Sequence, residues 1–475
     1  MNKPSDLPIS VADWHDTPTL QMLVVKLWER LQQLEQRVAQ LEQGQRGGGK
    51  GSSGQTAKKG DPAKPARRGR SKRRSSGRSP GAQPGHEGHG RSLLPVEQVQ
   101  KVVPVKPEAC HQCGQLLCGD DAHPRRHQVV EIPPVQVQVT EYQLHTLRCA
   151  HCETLTEASW PDGVPPGAFG PGVQAWVGLL SGAYRMSKRN IKALMSDAFG
   201  IEMALGTVSQ LERRLSEAVA GAVEKARAFV RRATAVNIDE TSWREHRAKA
   251  WLWTAATNLV TVFAIRLSRG TEVARELLGD VATGVVGSDR YTAYSYLSLW
   301  HRQICWAHLK RTFEAFVECG GEAAGIGTIL IEQVETLFTW WHRVRDGTLE
   351  RSSFQTYVST LRHQVHMQLL YGTLLADDQT AATCANLLKV ETALWTFVRK
   401  EGVEPTNNTA ERALRHGVIW RHTSFGTHSP DGSRFVERML TVRATLHQQQ
   451  RNVLHFLTQT CQAALHNQPP PSLLP

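Results

Sequence analysis

The sequence predicts a multidomain α/β protein with an N-terminal coiled coil, a small metal-knotted module, a helical region, and an α/β core interrupted by an all-helical insertion. Three observations carry this prediction. Apolar residues recur at a helical period in some stretches and form short continuous runs in others. Two Cys-x-x-Cys pairs lie 35 residues apart, and a stretch almost free of large apolar side chains separates the first helical pattern from everything that follows.

The first element is residues 18–43. Leu20, Val24, Leu27, Leu31, Leu34, Val38 and Leu41 alternate steps of four and three, with Glu and Gln on most outer positions after Glu29. That is the seam of a coiled coil, and a homo-oligomer through residues 20–41 is expected, with an amphipathic helix packed on its own chain as the other reading. Residues 44–91 are Gly, Ser, Lys, Arg and Pro, and such a composition cannot bury enough surface to offset chain entropy. The formal net charge of the 475-residue chain is +12, and eleven basic residues against one acid, Asp61, lie between Lys50 and Arg78. This segment alone therefore carries +10, concentrated in Arg67, Arg68, Arg70, Lys72, Arg73 and Arg74. It reads as an electrostatic arm for nucleic acid, with a solubilising linker as the other reading.

Residues 92–160 carry the cysteine pairs Cys110/Cys113 and Cys149/Cys152. Each pair brings two thiolates to one tetrahedral ion, and two pairs make a closed shell, so a structural zinc in a zinc-ribbon-like module is predicted. Cys118, His111 and His151 are alternative ligands. Alternation at Val135, Val137, Val139, Tyr142 and Leu144 predicts short strands around this knot.

Residues 165–232 are helical by period. A helix over Arg189–Phe199, a turn at Gly200, and a capping box at Thr207-Val-Ser-Gln210 before a second helix form a helix-turn-helix (HTH)-like arrangement. Arg213 and Arg214 on the second helix are its candidate DNA contacts; ordinary helix packing explains the same pattern.

Within residues 233–311, strands are predicted at 233–239, 250–256, 260–267 and 284–288. The first ends in Asp239 and the last in Asp289. Acids at the exits of buried strands suit a divalent cation, since burying them apart is costly. Residues 312–402 are a helical insertion, and 403–466 return to the core with a strand near Trp420–Phe425. Glu411 is the best third acid for a two-magnesium site, with Glu240, Glu404 and Glu437 as rivals; Arg412, Arg415, Lys310 and Arg311 suit phosphate contact. Strand-end aspartates also serve turns, and Glu411 has the spacing of a helix cap from Asn408.

Composition excludes several classes. Hydrophobic residues make up 40% of the chain, enough for sizeable cores. No run of 18 apolar residues occurs, so no spanning helix is expected, nor a secretory leader. Nine cysteines suit a reducing, cytosolic setting better than a disulfide scaffold.

The order of motifs resembles a known family. The heptads, Gly81-Ala-Gln-Pro-Gly-His-Glu-Gly-His89, the cysteine pairs, Asp239-Glu-Thr241, Ser288-Asp-Arg-Tyr-Thr-Ala-Tyr294, Cys305-Trp-Ala-His308 and Asn407-Asn-Thr-Ala-Glu-Arg412 together resemble the IS66 family of bacterial insertion-sequence transposases. The resemblance covers about residue 20 to 466. It implies an RNase H-like catalytic core with a DDE triad of Asp239, Asp289 and Glu411. It also implies cleavage of element ends and joining of the 3′-hydroxyls to target DNA by two-metal phosphoryl transfer, with Mg²⁺ as catalytic and Zn²⁺ as structural cofactor. A cytoplasmic, nucleoid-associated location and accessory proteins of the same element follow from the resemblance only. Cys305 and His308 read as a structural or substrate-positioning pair, or as half a metal site. The basic arm is richer in Arg and Gly than the family's linker, so its role is not inherited. The competing class is a zinc-containing DNA-binding regulator without catalysis; a metal-dependent nuclease that joins no strands is the third reading.

Overall fold

The computed structural model describes residues 92–475 and, ahead of them, Trp28 and Gln32, both helical. The expected zipper seam and basic arm, with Arg67, Arg68, Arg70, Lys72, Arg73 and Arg74, lie outside the described residues. The chain divides into two compact units, Gly47–Gln136 and the remainder.

In the first unit, a single turn of 3₁₀ helix spans Val96–Gln98 and an isolated antiparallel bridge joins Ala109 to Leu116. Arg126 and Gln128 both donate to the carbonyl of Leu94.

The second unit opens with a minimal hairpin, β1 (Thr146–Arg148) and β2 (Leu155–Glu157). The strands expected from the alternation at Val135–Leu144 are absent. Val135 and Val139 are exposed, and an alternating segment with no paired neighbour has nothing to satisfy a ladder. Three helices follow: α1 (Pro171–Gly178), α2 (Lys188–Phe199) and α3 (Leu205–Arg232). Ser187 caps α2 by accepting from the Asn190 N–H, and Gly200 ends it at φ +64°, in the left-handed region that glycine tolerates best. Val177, Leu180, Ile191, Met195, Val208 and Leu211 form their shared core. The capping box at Thr207 does not form, because α3 begins at Leu205 and Thr207 already lies inside its first turn.

The central sheet contains β3 (Ala235–Glu245), β4 (Ala248–Ala256), β5 (Thr261–Arg266), β6 (Val285–Ser288) and β7 (Arg302–Ile304), in the order β5-β4-β3-β6-β7. The first three make an antiparallel meander, while β6 and β7 add in parallel to β3. A parallel strand needs a crossover, supplied here by α4 (Thr271–Leu278). β6 is wholly buried, as its unbroken Val-Val-Gly-Ser run requires. At Gly287 a Cβ would lie 2.3 Å from Asn237 Oδ1 on the neighbouring strand, so any other residue there would displace that side chain. β3 runs six residues past Asp239, so Asp239 is inside a strand and not at its exit. Its pairing with β6, however, ends two residues earlier, at Asn237.

The helical insertion comprises α5 (Trp306–Cys319), α6 (Gly321–Arg345), α7 (Arg351–Gly372), α8 (Asp378–Lys389) and the short α9 (Thr396–Arg399). It has its own apolar core, in which Trp306, Phe313, Leu330, Phe354, Trp395 and Phe397 are almost fully buried. Its return path is sewn to β7. Gln303 donates to the Leu394 carbonyl and accepts from the Phe397 N–H, and Thr396 donates to the Arg302 carbonyl. The chain re-enters the sheet region as α10 (Asn408–Ser424), followed by α11 (Pro430–Gln448) and α12 (Val453–Leu465). α10 packs on β3 and β4, and α11 on β5. The strand expected near Trp420–Phe425 is the end of α10, because Leu414, Gly417 and Trp420 bury one helical face against the sheet. Among the described residues, no helix is long and apolar enough to cross a membrane.

Candidate carboxylate site and zinc knuckles

Backbone hydrogen bonds set the site before any side chain does. The Cys305 N–H donates to the Ser288 carbonyl at the end of β6, starting α5 beside Asp289. A hundred residues later the Pro405 carbonyl accepts from the Trp306 N–H, and the Asn407 N–H donates to Cys305 Sγ at 3.4 Å. Departure and return of the insertion are thus pinned together, and α10 begins next to the end of β6. Glu411, in the first turn of α10, reaches back across this junction. Its Oε1 lies 3.5 Å from His308 Nδ1 and 3.3 Å from Arg311 Nη2. It does not cap the helix, which starts at Asn408 after Asn407.

Asp239 and Asp289 are each half-buried. One oxygen of Asp239 accepts from the Glu240 N–H at 2.9 Å, and one of Asp289 from the Tyr291 N–H at 2.9 Å. The Asp239 carboxyl is pushed up from 3.8 to about 8. Burial is the largest cause, followed by the charge of Glu240; the charges of Asp289 and Glu411 add to it, and the Glu240 N–H opposes it. Three acids from β3, the end of β6 and the start of α10 therefore share one electrostatic neighbourhood. All-oxygen donors crowded with like charge suit a hard divalent cation such as magnesium.

The rival acids are committed elsewhere. Glu240 is 8% exposed, receives the Tyr294 hydroxyl and pairs with Arg269 at 2.7 Å. Arg269 in turn lies over the rings of Tyr291 and Trp251. Glu404 accepts from the Trp341 indole N–H, and Glu437 is paired with Arg227 and Arg266. From sequence, Tyr294 and Asn407 are reached only as members of the motifs Ser288–Tyr294 and Asn407–Arg412, without a role, and Arg269, which no motif contains, is missed.

Cys305, His308 and Glu411 place ligand atoms within 4.8 Å of one another. Burial raises the Cys305 thiol, and burial first and Arg311 second lower His308, which favours a neutral pair here. Of the expected DNA contacts, Arg213, Arg412 and Arg415 are exposed. Arg214 donates to the Pro166 carbonyl, Lys310 pairs with Glu335 at 2.8 Å, and Arg311 pairs with Glu411.

The two cysteine pairs have the same local architecture. The Cys110 N–H donates to the Gln115 carbonyl and the Gly114 N–H to the Cys110 carbonyl; Cys149 repeats this with Thr154 and Glu153. Gly114 and Glu153 both have positive φ, +74° and +60°. In each turn one thiol is drawn below its ordinary range, Cys110 chiefly by backbone hydrogen bonding at Cys113 and Cys152 chiefly by Thr154. Turns that stabilise thiolate are what zinc ligation asks of a Cys-x-x-Cys.

A family model described as the transposase IS66 family matches residues 166–434, and one described as the zinc-finger binding domain of transposase IS66 matches residues 107–153. No curated protein matches the chain.

Proposed function

Because the chain belongs to the IS66 family of transposases, we propose that Asp239, Asp289 and Glu411 are the catalytic triad of a DDE transposase on an RNase H-like core. The observation that carries this is that Asp239 on β3, Asp289 at the end of β6 and Glu411 at the start of α10 act on one carboxyl: the charges of Asp289 and Glu411 add to burial and to Glu240 in raising Asp239 to about 8. The sheet order supports it: an antiparallel meander extended in parallel on one side has Asp239 on β3 and Asp289 just past the end of the neighbouring β6. Two magnesium ions held by these carboxylates would supply Lewis-acid stabilisation of the attacking and leaving oxygens.

The residues themselves present the ligand set and aim it. Glu240, fixed by Arg269 and Tyr294, holds the β3 backbone that carries Asp239. His308 and Arg311 orient Glu411. In cleavage, a water oxygen attacks phosphorus at the element end and the P–O3′ bond breaks, freeing a 3′-hydroxyl. In joining, that hydroxyl attacks a target phosphorus and displaces its 3′ oxygen, so no covalent enzyme adduct is needed. The four cysteines are read as structural zinc ligands, in line with the zinc-finger match over residues 107–153. Residues 20–41 would hold two such active sites in one oligomer at paired ends, in the cytoplasm and with accessory proteins of the element. Arg213, Arg412, Arg415 and the basic arm would grip DNA.

A regulator without catalysis would need no group of acids whose charges hold a proton on Asp239. Replacing Asp239, Asp289 or Glu411 by Ala should abolish Mg²⁺-dependent cleavage and joining of a labelled element end while end binding stays within about twofold. Strand joining by the Glu411→Ala protein would overturn the assignment of that acid.

A further inference from the structure

One turn beyond Glu411 the sign of the charge reverses. Arg415 and His416 follow on α10, and His416 Nδ1 lies 3.1 Å from Arg185 Nη1. Arg443 on α11 faces the same place, with His447 one turn further along that helix. Arg185, His416 and Arg443 are half-buried, and Arg415 and His447 are exposed. Among the described residues, no carboxylate comes within ion-pair distance of Arg185, Arg415 or Arg443. Half-burying cations against one another without an anion is unfavourable, so the arrangement is incomplete as it stands.

The backbone holds Arg185 there against its own preference. The chain leaves α1 through a turn of π-helix, Leu179–Ala183, and Arg185 sits at φ +61°, an uncommon conformation for a residue with a Cβ. The turn is locked in place: Ser181 donates to Glu212, and Gly182 packs so closely on Met439 of α11 that a Cβ would come within 2.7 Å. π-turns and left-handed non-glycine residues concentrate at functional sites. Tyr184, beside Arg185, is 61% exposed and free to stack on a base.

We propose that Arg185, Arg415, His416 and Arg443 form a phosphate-binding site that holds the DNA backbone next to the phosphodiester presented to the carboxylates. The proposal rests on the reading of this chain as an enzyme acting on DNA strands. Two half-buried guanidinium groups and an imidazole suit a phosphate, which takes several charge-assisted hydrogen bonds at once. His416 supports this: its imidazole is held down to about 4, by burial first and then by Arg443 and Arg185, a field that an incoming phosphate would cancel. The contrasting cleft lined by Lys188, Arg213, Arg434 and Arg438 also contains Glu212, Glu217 and Asp431. Its Lys188 is paired with Glu212 and its Arg434 with Asp431, so it lacks the same uncompensated charge.

The test uses the full chain with Asp239 replaced by Asn, so that binding is read without turnover, on a duplex element end across a salt series. Arg443→Gln and Arg185→Gln should each weaken binding roughly three- to tenfold and make the log–log salt slope shallower by about 1. Arg247→Gln, the same charge change at the exposed β3–β4 turn, should leave the slope unchanged. Thermal melting without DNA guards against misfolding; both variants should melt at or above the parent, since each removes a like-charge contact. Unchanged affinity and slope in both variants, with melting raised, would overturn the proposal and mark the cluster as strain alone. A parent that cleaves with the native Asp239 while these variants bind normally refutes the phosphate site and leaves the catalytic reading standing. Lost binding in the variants of a chain that never cleaves does the reverse.

Discussion

Glu437, buried on a helix against the central sheet, and Asp239, half-buried on the sheet itself, are carboxylates in opposite surroundings. Glu437 receives Arg227 at 3.2 Å, Arg266 at 3.0 Å and the Ile265 N–H at 2.8 Å. Arg266 is in turn paired with Glu276. Asp239 receives one backbone N–H, and its strongest charged influences are acids. A buried carboxylate surrounded by donors ties α11 to β5 and to α3, whereas one surrounded by other carboxylates costs stability until a cation arrives. The same sheet therefore carries one acid built for the fold and one that opposes it. The basic cluster at Arg185, His416 and Arg443 is the mirror image of the second kind.

The largest effect should come from breaking the paired acid. Glu437→Ala takes from Arg227 and Arg266 the buried carboxylate they share, leaving them Glu224 and Glu276, and strands the Ile265 N–H, so it should cost about 2–3 kcal/mol in urea unfolding. Asp239→Ala should cost far less, under about 1 kcal/mol, because no cation is orphaned. Equal costs for the two would erase the distinction.

A smaller and pH-dependent effect should come from the crowded acid. In the folded, metal-free protein the Asp239 carboxyl keeps its proton until about pH 8, while in the unfolded chain it ionises near its ordinary 3.8. Between those values the folded state binds more protons, so this group's stabilising contribution, present in full at low pH, is lost as pH rises through 8. Asp239→Asn removes that loss. The variant should match the wild type near pH 4 and pull ahead of it up to about pH 8, the gap widening by at most about 1.4 kcal/mol per pH unit and showing as a melting temperature that falls with pH in the wild type only. Magnesium should raise the melting temperature of the wild type at pH 8 and leave the variant unmoved.

How far these regions were legible follows from the range of the interactions involved. Asp239 and Asp289 stand out because an apolar strand and its terminal acid are adjacent in the chain. The cysteine knuckles announce themselves by spacing, and each is a five-residue turn whose hydrogen bonds are local. The strand β3 continues past Asp239 because Trp243 is buried again and β4 pairs with it as far as Glu245, neither of which an apolar run reveals. β7 is three residues long, and its partners at 394–397 are ninety residues away. The strand expected near Trp420–Phe425 is helix because Leu414, Gly417 and Trp420 bury one helical face, and two of those three residues lie upstream of the stretch. Arg185, His416 and Arg443 come from three separate elements, and nothing local predicts that they meet. Arg227, Arg266 and Glu437 are equally scattered, so the contrast between the two kinds of acid is a property of tertiary structure alone.

Glu240 tests the comparison at its boundary, since it is bonded in sequence to Asp239 but paired like Glu437. Its raised carboxyl is set first by burial, against which Tyr294 and Arg269 pull it back down. Its charge is also the largest single charge pushing Asp239 up. Glu240→Gln keeps the shape and an acceptor for the Tyr294 hydroxyl, and leaves Arg269 stacked between Tyr291 and Trp251 at the protein edge. The change in stability at pH 5 should therefore be small, within about 1 kcal/mol. The informative quantity is the slope of stability against pH in the metal-free protein. With the neighbouring charge gone, Asp239 should ionise closer to its ordinary value, and the fall in stability toward pH 8 should flatten part of the way to that of Asp239→Asn. If the slope matches wild type, the charge of Glu240 does not raise Asp239, and burial with Asp289 and Glu411 accounts for the contrast with Glu437.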